Sequence, residues 1–255
     1  MPTLWIALPA YNEERSLPAL LERYVALRPE IERRGAKLRV LVVDDGSTDG
    51  TIAAANRFKD RLDVEVIPHA VNQNLGAALR TGLTGALERS TDEDVIGTMD
   101  ADNTHDPSLF PGMWDVLERE KADVVIASRY APGGREVGLT RLRSFLSRGA
   151  SFLLTAVTPV AGARDYTCGF RLYRASTLRR AARAWGARLI EEAGFTCMAE
   201  VLVKLGRSGA VVREVGLVLR YDLKEGASKM KIMRTIGRYF AMSRRVRSTR
   251  APQLD

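Results

Sequence analysis

Residues 98–107 read TMDADNTHDP, and Asp100 and Asp102 in that stretch stand one residue apart behind the apolar run DVIGTM. Two carboxylates at a buried strand end repel each other and are costly to desolvate unless something positive lies between them. Their hard oxygens suit Mg2+ or Mn2+ better than zinc. A divalent ion bridging the pair to a diphosphate would cancel the repulsion and stabilise a departing phosphate. Taken alone, the same spacing also fits two aspartates that cap a turn.

Two further stretches carry polar groups directly behind apolar runs. VVDDGSTDGT (42–51) sets Asp44 and Asp45 where an acid can bond a base edge or a ribose hydroxyl. An Asx turn with a helix cap accounts for Ser47 and Asp49, but less well for two adjacent acids. LPAYNE (8–13) puts Tyr11 where it could cover a base and Glu13 where it could pair with Arg or a ribose. NQNLGAALRTG (72–82) lacks the phosphate-loop pattern, so Gly76 and Gly82 are expected to permit close helix–sheet packing. His69 and His105 are the only histidines, neither has an evident acid partner in the sequence, and His105 is expected to cap the next helix.

The elements that must position these residues follow from periodicity. LWIAL (4–8), LRVLVV (38–43), VEVI (64–67), VIGTM (95–99) and DVVIAS (123–128) are short and rich in Val, Ile and Leu. The first four are each followed by polar or Gly/Pro residues and then a helical pattern. That alternation predicts an α/β fold with a mostly parallel central sheet flanked by helices. Ligands in such sheets bind beyond the carboxyl ends of the strands, so the three polar stretches should crowd one edge.

Beyond residue 130 the pattern changes. APGGREVG (131–138) is a Gly-rich loop, and helices are expected near 140–158 and 228–245. Both are apolar on one face and basic around it. Each therefore reads as a helix packed on the core with solvated charges, or as an amphipathic surface lying on an anionic membrane. A single domain over 1–247 is expected, with 248–255 as a disordered tail.

Of the 255 residues, 45% are hydrophobic and 27% charged, as in an ordinary globular protein. The net charge of +8 suits an anionic partner or simply a basic, solvated surface. A basic stripe interleaved with aromatics is absent, which argues against nucleic acid as the partner. Two cysteines without metal-type spacing predict neither a disulfide framework nor a zinc site, and so a reduced, cytoplasmic setting. No signal peptide is expected, and no run approaches the roughly 18 apolar residues of a membrane span. Membrane contact would then be peripheral.

LPAYNE, VVDDGSTDG, MDADNTH, ASRY, CGFRLYR and GASKMK occur in the order and rough spacing of the family 2 glycosyltransferases. Over residues 4–233 the chain most resembles their dolichol- and polyprenol-phosphate mannosyltransferase branch. SRGASFLLTAVTPVAGARDYTCGFRLYR (147–174) and GASKMK (226–231) carry that narrower likeness. The resemblance implies a GT-A type nucleotide-sugar-binding fold. It implies that Pro9, Tyr11, Glu13, Val43 and Asp45 hold the nucleoside of a nucleoside-diphosphate sugar. It further implies that Asp100, Ala101 and Asp102 surround the diphosphate and a Mg2+ or Mn2+ ion. Arg129, Arg171 and Lys229 would be the catalytic cations near the donor and acceptor phosphates. Relatives often carry Gln where this chain has Thr104, leaving a hydroxyl as the third metal contact, and often read S-G-F or G-S-F where this chain has Cys168-Gly169-Phe170. The thiol there is expected to pack rather than react.

The implied reaction is metal-dependent, inverting transfer of a hexose, with mannose from GDP-mannose to a polyprenyl phosphate as the first expectation. A phosphate acceptor is already anionic and needs no general base, whereas a hydroxyl acceptor does. Glu200 is the one acid that aligns with such a role. The alternatives are another donor such as UDP-glucose, a soluble hydroxyl acceptor, or a non-catalytic sugar-nucleotide-binding module.

Overall fold

The five apolar runs form five of the six parallel strands of a seven-stranded sheet. The structure, a computed structural model, describes residues 1–139, 141–223 and 232–254. β1 (Thr3–Ala10), β2 (Lys37–Asp44), β3 (Val64–Pro68), β4 (Val95–Thr98) and β5 (Val124–Ser128) match the expected runs to within two residues at either end. Leu4, Ile6, Leu8, Val40, Val42, Ile96 and Val125 are all buried. Burying each such side chain contributes about 1.5–3 kcal/mol, which favours a strand covered on both faces.

The spatial order is β3-β2-β1-β4-β7-β5-β8, where β7 is Arg171–Arg174 and β8 is Val212–Gly216. β7 runs antiparallel to both neighbours, and the other pairings are parallel. The register sets Ala10 beside Asp44, Asp44 beside Pro68, and Ser128 beside Gly216. The polar stretches behind β1, β2 and β4 therefore do share one edge. β7 enters from that edge, with Arg171 beside Thr98. Its two arginines in four residues hide it as a central strand. Arg171 is fully buried, and Arg174 donates to the carbonyls of Ala122 and Leu117.

Helices cover both faces: α1 (Ser16–Arg33), α2 (Thr51–Asn56), α3 (Leu75–Arg89), α4 (Phe110–Arg119), α5 (Arg141–Val157), α6 (Ala175–Trp185), α7 (Thr196–Arg207) and α8 (Ile232–Ser248). α1 buries Leu17, Leu20, Leu21, Tyr24, Leu27 and Ile31, a stripe at steps of three and four. α3 lies close on the sheet because a Cβ at Gly82 would stand 2.9 Å from the Ala7 Cβ. Gly76, expected to do the same, instead meets the carbonyl of Glu192, so it seats a loop.

α5 and α8 occupy the two expected amphipathic regions and pack on each other. Residues 228–231 of the second region lie outside the described residues. α8 turns Tyr239, Met242 and Val246 inward and leaves Phe240 and Arg244 exposed. The tail also departs from expectation. Leu254 donates its N–H to the Ser208 carbonyl at 3.3 Å, and its own carbonyl accepts from Arg180 at 3.3 Å. Ala251 and Leu254 pack against the core, apolar contacts that a polar-looking tail conceals.

Two short strands, β6 (Arg135–Val137) and β9 (Val218–Arg220), pair in parallel beside the main sheet. β6 falls within the Gly-rich loop of residues 131–138. The Arg220 N–H donates to the Thr104 carbonyl at 3.0 Å, which ties this ribbon to the loop after β4.

Candidate active site

The loops after β1 and β2 are stitched together by side chain–backbone bonds. Asn12, at φ +53°, donates its N–H to Ser47 Oγ at 2.9 Å and accepts from the Thr48 N–H at 2.9 Å. The Glu13 N–H donates to Thr51 Oγ1 at 2.9 Å, and Glu13 Oε2 accepts from Ser16 Oγ at 2.9 Å. Asp49 accepts from the Thr51 N–H at 3.0 Å, which is the Asx turn the sequence suggested. Pro9, Tyr11 and Glu13 are half-buried on this rim. Val43 is fully buried with its side chain toward Gly82.

The two acids after β2 are not alike. Asp44 accepts from the Ser47 N–H at 3.2 Å, while its buried Oδ1 lacks a hydrogen-bond partner. Asp45 Oδ1 is paired with His69 Nδ1 at 2.8 Å and accepts from the Gln73 N–H at 2.9 Å. His69 thus has an acid partner after all. Their separation of 24 residues hid it, since the contact exists only once β2 and β3 lie side by side.

Asp100 is half-buried and Asp102 is 8% exposed, with buried Ala101 between them. Asn103 at φ +61° turns the chain back, so that Asp102 Oδ1 accepts from both the Thr104 N–H at 3.2 Å and the Thr104 hydroxyl at 2.6 Å. The Thr104 hydroxyl is turned onto Asp102 and orients that carboxylate. Among the described residues there is no group of three His, Cys, Asp or Glu able to hold an ion. Two carboxylates with a substrate diphosphate nevertheless form the all-oxygen set that Mg2+ or Mn2+ takes. A Cβ on Gly169 would come within 3.1 Å of Asp100 Oδ1, so a side chain there would press on that carboxylate.

Two of the three expected cations have protein partners. Arg129 Nε and Nη2 fork onto Asp165 at 2.7 Å each, Nη1 reaches Glu136 at 3.2 Å and Ser147 at 2.9 Å, and Nη2 also reaches Thr167 at 2.6 Å. A guanidinium has five N–H donors, and all five are engaged. Burial opposes the charge on Arg129, but Asp165 outweighs it and raises the arginine pKa. Burial likewise opposes the charge on Asp165, and Arg129 holds its carboxyl below the ordinary range. Arg171 is fully buried and donates to the carbonyls of Met198 at 2.5 Å and Tyr166 at 2.8 Å. Arg129 is thus fully engaged by protein acceptors, whereas Arg171 holds two carbonyls and leaves its buried Nε without a partner. Lys229 lies outside the described residues.

Glu200 is corrected too. It is fully buried and accepts from the N–H groups of Glu191 and Glu192 at 2.8 Å, from Lys204 Nζ at 2.7 Å and from Arg245 Nη2 at 2.9 Å. Four donors leave it no freedom to act as a base. His105 does not cap the following helix; Asp106 does, accepting from the Ser108 N–H at 3.0 Å. The His105 ring is buried 5.6 Å from the Phe170 ring. Burial, with Asp165 nearby, pushes the Cys168 thiol up to about 12, so it packs as a neutral group.

Residues 5–181 match the family described as Glycosyl transferase family 2. The chain belongs to that family. This glycosyltransferase is 34% identical over 224 residues to an undecaprenyl-phosphate mannosyltransferase of Micrococcus luteus, covering 88% of this chain and 85% of the relative. It is 30% identical over 227 residues to a polyprenol monophosphomannose synthase of Mycolicibacterium smegmatis, covering 88% and 80%. A dodecaprenyl-phosphate galacturonate synthase of Rhizobium johnstonii is 33% identical over 179 residues, covering 69% and 49%. Among solved structures, glucosyl-3-phosphoglycerate synthase of Mycobacterium tuberculosis, in complex with Mn2+, UDP and phosphoglyceric acid, superposes with a TM-score of 0.62 at 21% identity. That match spans 96% of this chain and 76% of the other, and it establishes the GT-A-like fold.

For the glycosyltransferase, the Thr104 contacts give a first expectation. If Asp102 holds a metal, Thr104→Val, which removes only the hydroxyl that orients it, should lower transfer by about 10–100-fold. Rates measured at saturating donor over a Mn2+ titration check it, and an unchanged rate would mean that Asp102 needs no such support.

Proposed function

We propose that this glycosyltransferase moves a hexose, with mannose from GDP-mannose as the first choice, onto a polyprenyl phosphate with inversion at the sugar carbon. The observation that carries the acceptor assignment is the sealing of the candidate bases. Glu200 is held by four donors, His69 is turned to Asp45, and His105 is buried against Phe170. An acceptor that arrives already charged needs none of them. The names of the relatives from Micrococcus luteus and Mycolicibacterium smegmatis support the same acceptor and the mannosyl group.

In this reading Pro9, Tyr11, Glu13, Val43 and Asp45 hold the nucleoside, while Asp100, Ala101 and Asp102 face the diphosphate. A Mg2+ or Mn2+ ion bound by Asp100 and Asp102 would supply charge stabilisation to the leaving diphosphate. Asp102 is kept in orientation by Thr104. Arg129 and Arg171 fix the loops on the acceptor side from within, and the acceptor phosphate is left to Lys229. Asp45 and its partners orient the nucleoside, so that the sugar carbon is presented in line with the acceptor.

The lipid acceptor also suits the outer surface. Phe152 on α5 is 77% exposed and Phe240 on α8 is 52% exposed, with Arg148 and Arg244 exposed on the same two helices. Apolar and basic side chains together favour an anionic bilayer surface. Among the described residues no helix is long and apolar enough to cross a membrane.

A UDP-sugar donor is the second reading, favoured by the UDP in the solved Mycobacterium tuberculosis relative. Purified protein given GDP-mannose or UDP-glucose, each with a short-chain polyprenyl phosphate, separates the two. GDP release with a mannosyl-phosphate lipid, lost on EDTA treatment, is the expected result. Product from UDP-glucose alone would correct the sugar, and turnover of a polyprenol lacking phosphate would overturn the acceptor. Flotation with phosphatidylglycerol vesicles should fall on Phe152→Ser/Phe240→Ser substitution; flotation unaffected by that change would remove the membrane surface from the proposal.

A further inference from the structure

The reaction above gives His69 no part, yet its ring stands against the acid assigned to the donor nucleoside. Asp45 Oδ1 takes two bonds, from His69 Nδ1 at 2.8 Å and the Gln73 N–H at 2.9 Å. No described residue donates to Oδ2. An ionised carboxylate only accepts, so the proton of the pair sits on His69 Nδ1. In a neutral ring Nε2 then accepts, and Thr81 Oγ1 at 2.9 Å is its donor. The His69 N–H in turn donates to the Asp44 carbonyl at 2.8 Å. The side chains of His69 and Asp45 are only 9% and 5% exposed, so the ring is fixed between the loop after β2 and α3.

We infer that His69, backed by Thr81, is a positioning residue for the nucleotide: it holds Asp45 by Oδ1, so that Oδ2 is a single oriented acceptor for an N–H or O–H of the nucleoside. The inference rests on the nucleotide-sugar reading of Asp45. Without the imidazole, the carboxylate turns about its last bond and water takes the vacated place. The nucleotide must then order the carboxylate as it binds, which weakens affinity rather than the chemical step. The device was invisible in the sequence because its three side chains come from the loops after β2 and β3 and the middle of α3.

The test is calorimetric titration of UDP and of GDP, each with Mn2+, into wild-type protein and four variants. His69→Ala should weaken the better-bound nucleotide about tenfold, the value of one well-placed hydrogen bond. His69→Asn can place an amide N–H where Nδ1–H stands and should stay within about threefold of wild type, while Thr81→Val should lose about threefold. Asp45→Asn should lose at least as much as His69→Ala. With the turned-over donor, KM should rise in His69→Ala more than kcat falls; a merely structural role would lower Tm and kcat together.

The outcomes separate the inference from the reading beneath it. If Asp45→Asn weakens binding and His69→Ala does not, His69 positions nothing. If Asp45→Asn binds as wild type does, or wild type binds neither nucleotide, the assignment of Asp45 falls and the inference with it. If His69→Ala fails to fold, the long-range 1H–15N spectrum of wild-type His69 still decides: a proton on Nδ1 is expected, and a proton on Nε2 alone overturns the relay.

Discussion

Asp102→Asn is expected to lower sugar transfer by about a thousandfold while leaving the fold intact. The amide keeps an oxygen in place of Oδ1, so the Thr104 N–H and hydroxyl, now at 3.2 and 2.6 Å, retain their acceptor. What it removes is the negative charge that a divalent ion requires. Asp102→Ala differs in kind, because it strands both Thr104 donors in a buried position at a cost of about 1–3 kcal/mol each. The pair of variants therefore separates charge from architecture. Thermal unfolding with and without Mn2+ plus UDP or GDP should show ligand stabilisation in wild type and none in Asp102→Asn, with equal Tm values when ligand is absent. Asp102→Asn retaining more than a tenth of the wild-type rate would remove this carboxylate from the reaction.

Legibility followed sequence separation. The parallel strands announced themselves because a strand buried on both faces must be apolar nearly throughout, as Leu4–Leu8 and, Arg39 apart, Leu38–Val43 are. The site edge was legible for the same reason: polar loops that follow such strands have one place to go. β7 was not legible as a strand, since two arginines in four residues do not suit a central strand until carbonyls from other segments are seen to accept from them. The unexpected contacts at the site have the same origin. Thr104 read as a ligand, Glu200 as a base, and Arg129 and Arg171 as phosphate contacts, because the residue type suits the role. Only the fold shows the protein partners these groups have: Asp102 for Thr104, Lys204 and Arg245 for Glu200, Asp165 for Arg129, and Tyr166 and Met198 for Arg171. A charged residue in sequence is a possible contact, and burial decides whether protein or substrate makes it.

Arg129 carries the second large effect. Its guanidinium joins the end of β5 to Asp165, to Glu136 on β6 and to Ser147 on α5. The Asp165 side chain is fully buried, so Arg129→Ala leaves a charge with only backbone N–H groups and the Thr167 hydroxyl for support. Breaking such a pair from one side costs about 3–5 kcal/mol, or roughly 6–20 °C in Tm for a chain of this size. Arg129→Lys keeps the charge but loses the fork and should fall between wild type and Ala. Removing both charges in Arg129→Met/Asp165→Leu should recover much of the loss. Acid adds an independent check. The carboxyl of Asp165 titrates below its ordinary value of 3.8, so its stabilisation is whole above that value and is lost as pH falls through the lower, folded one. Wild type should therefore lose stability below about pH 4, and Asp165→Asn, already weaker at neutral pH, should lose less over the same interval. A thousandfold loss of transfer in Arg129→Ala at unchanged Tm would instead return the guanidinium to the acceptor phosphate and make its bond to Asp165 a contact that substrate displaces.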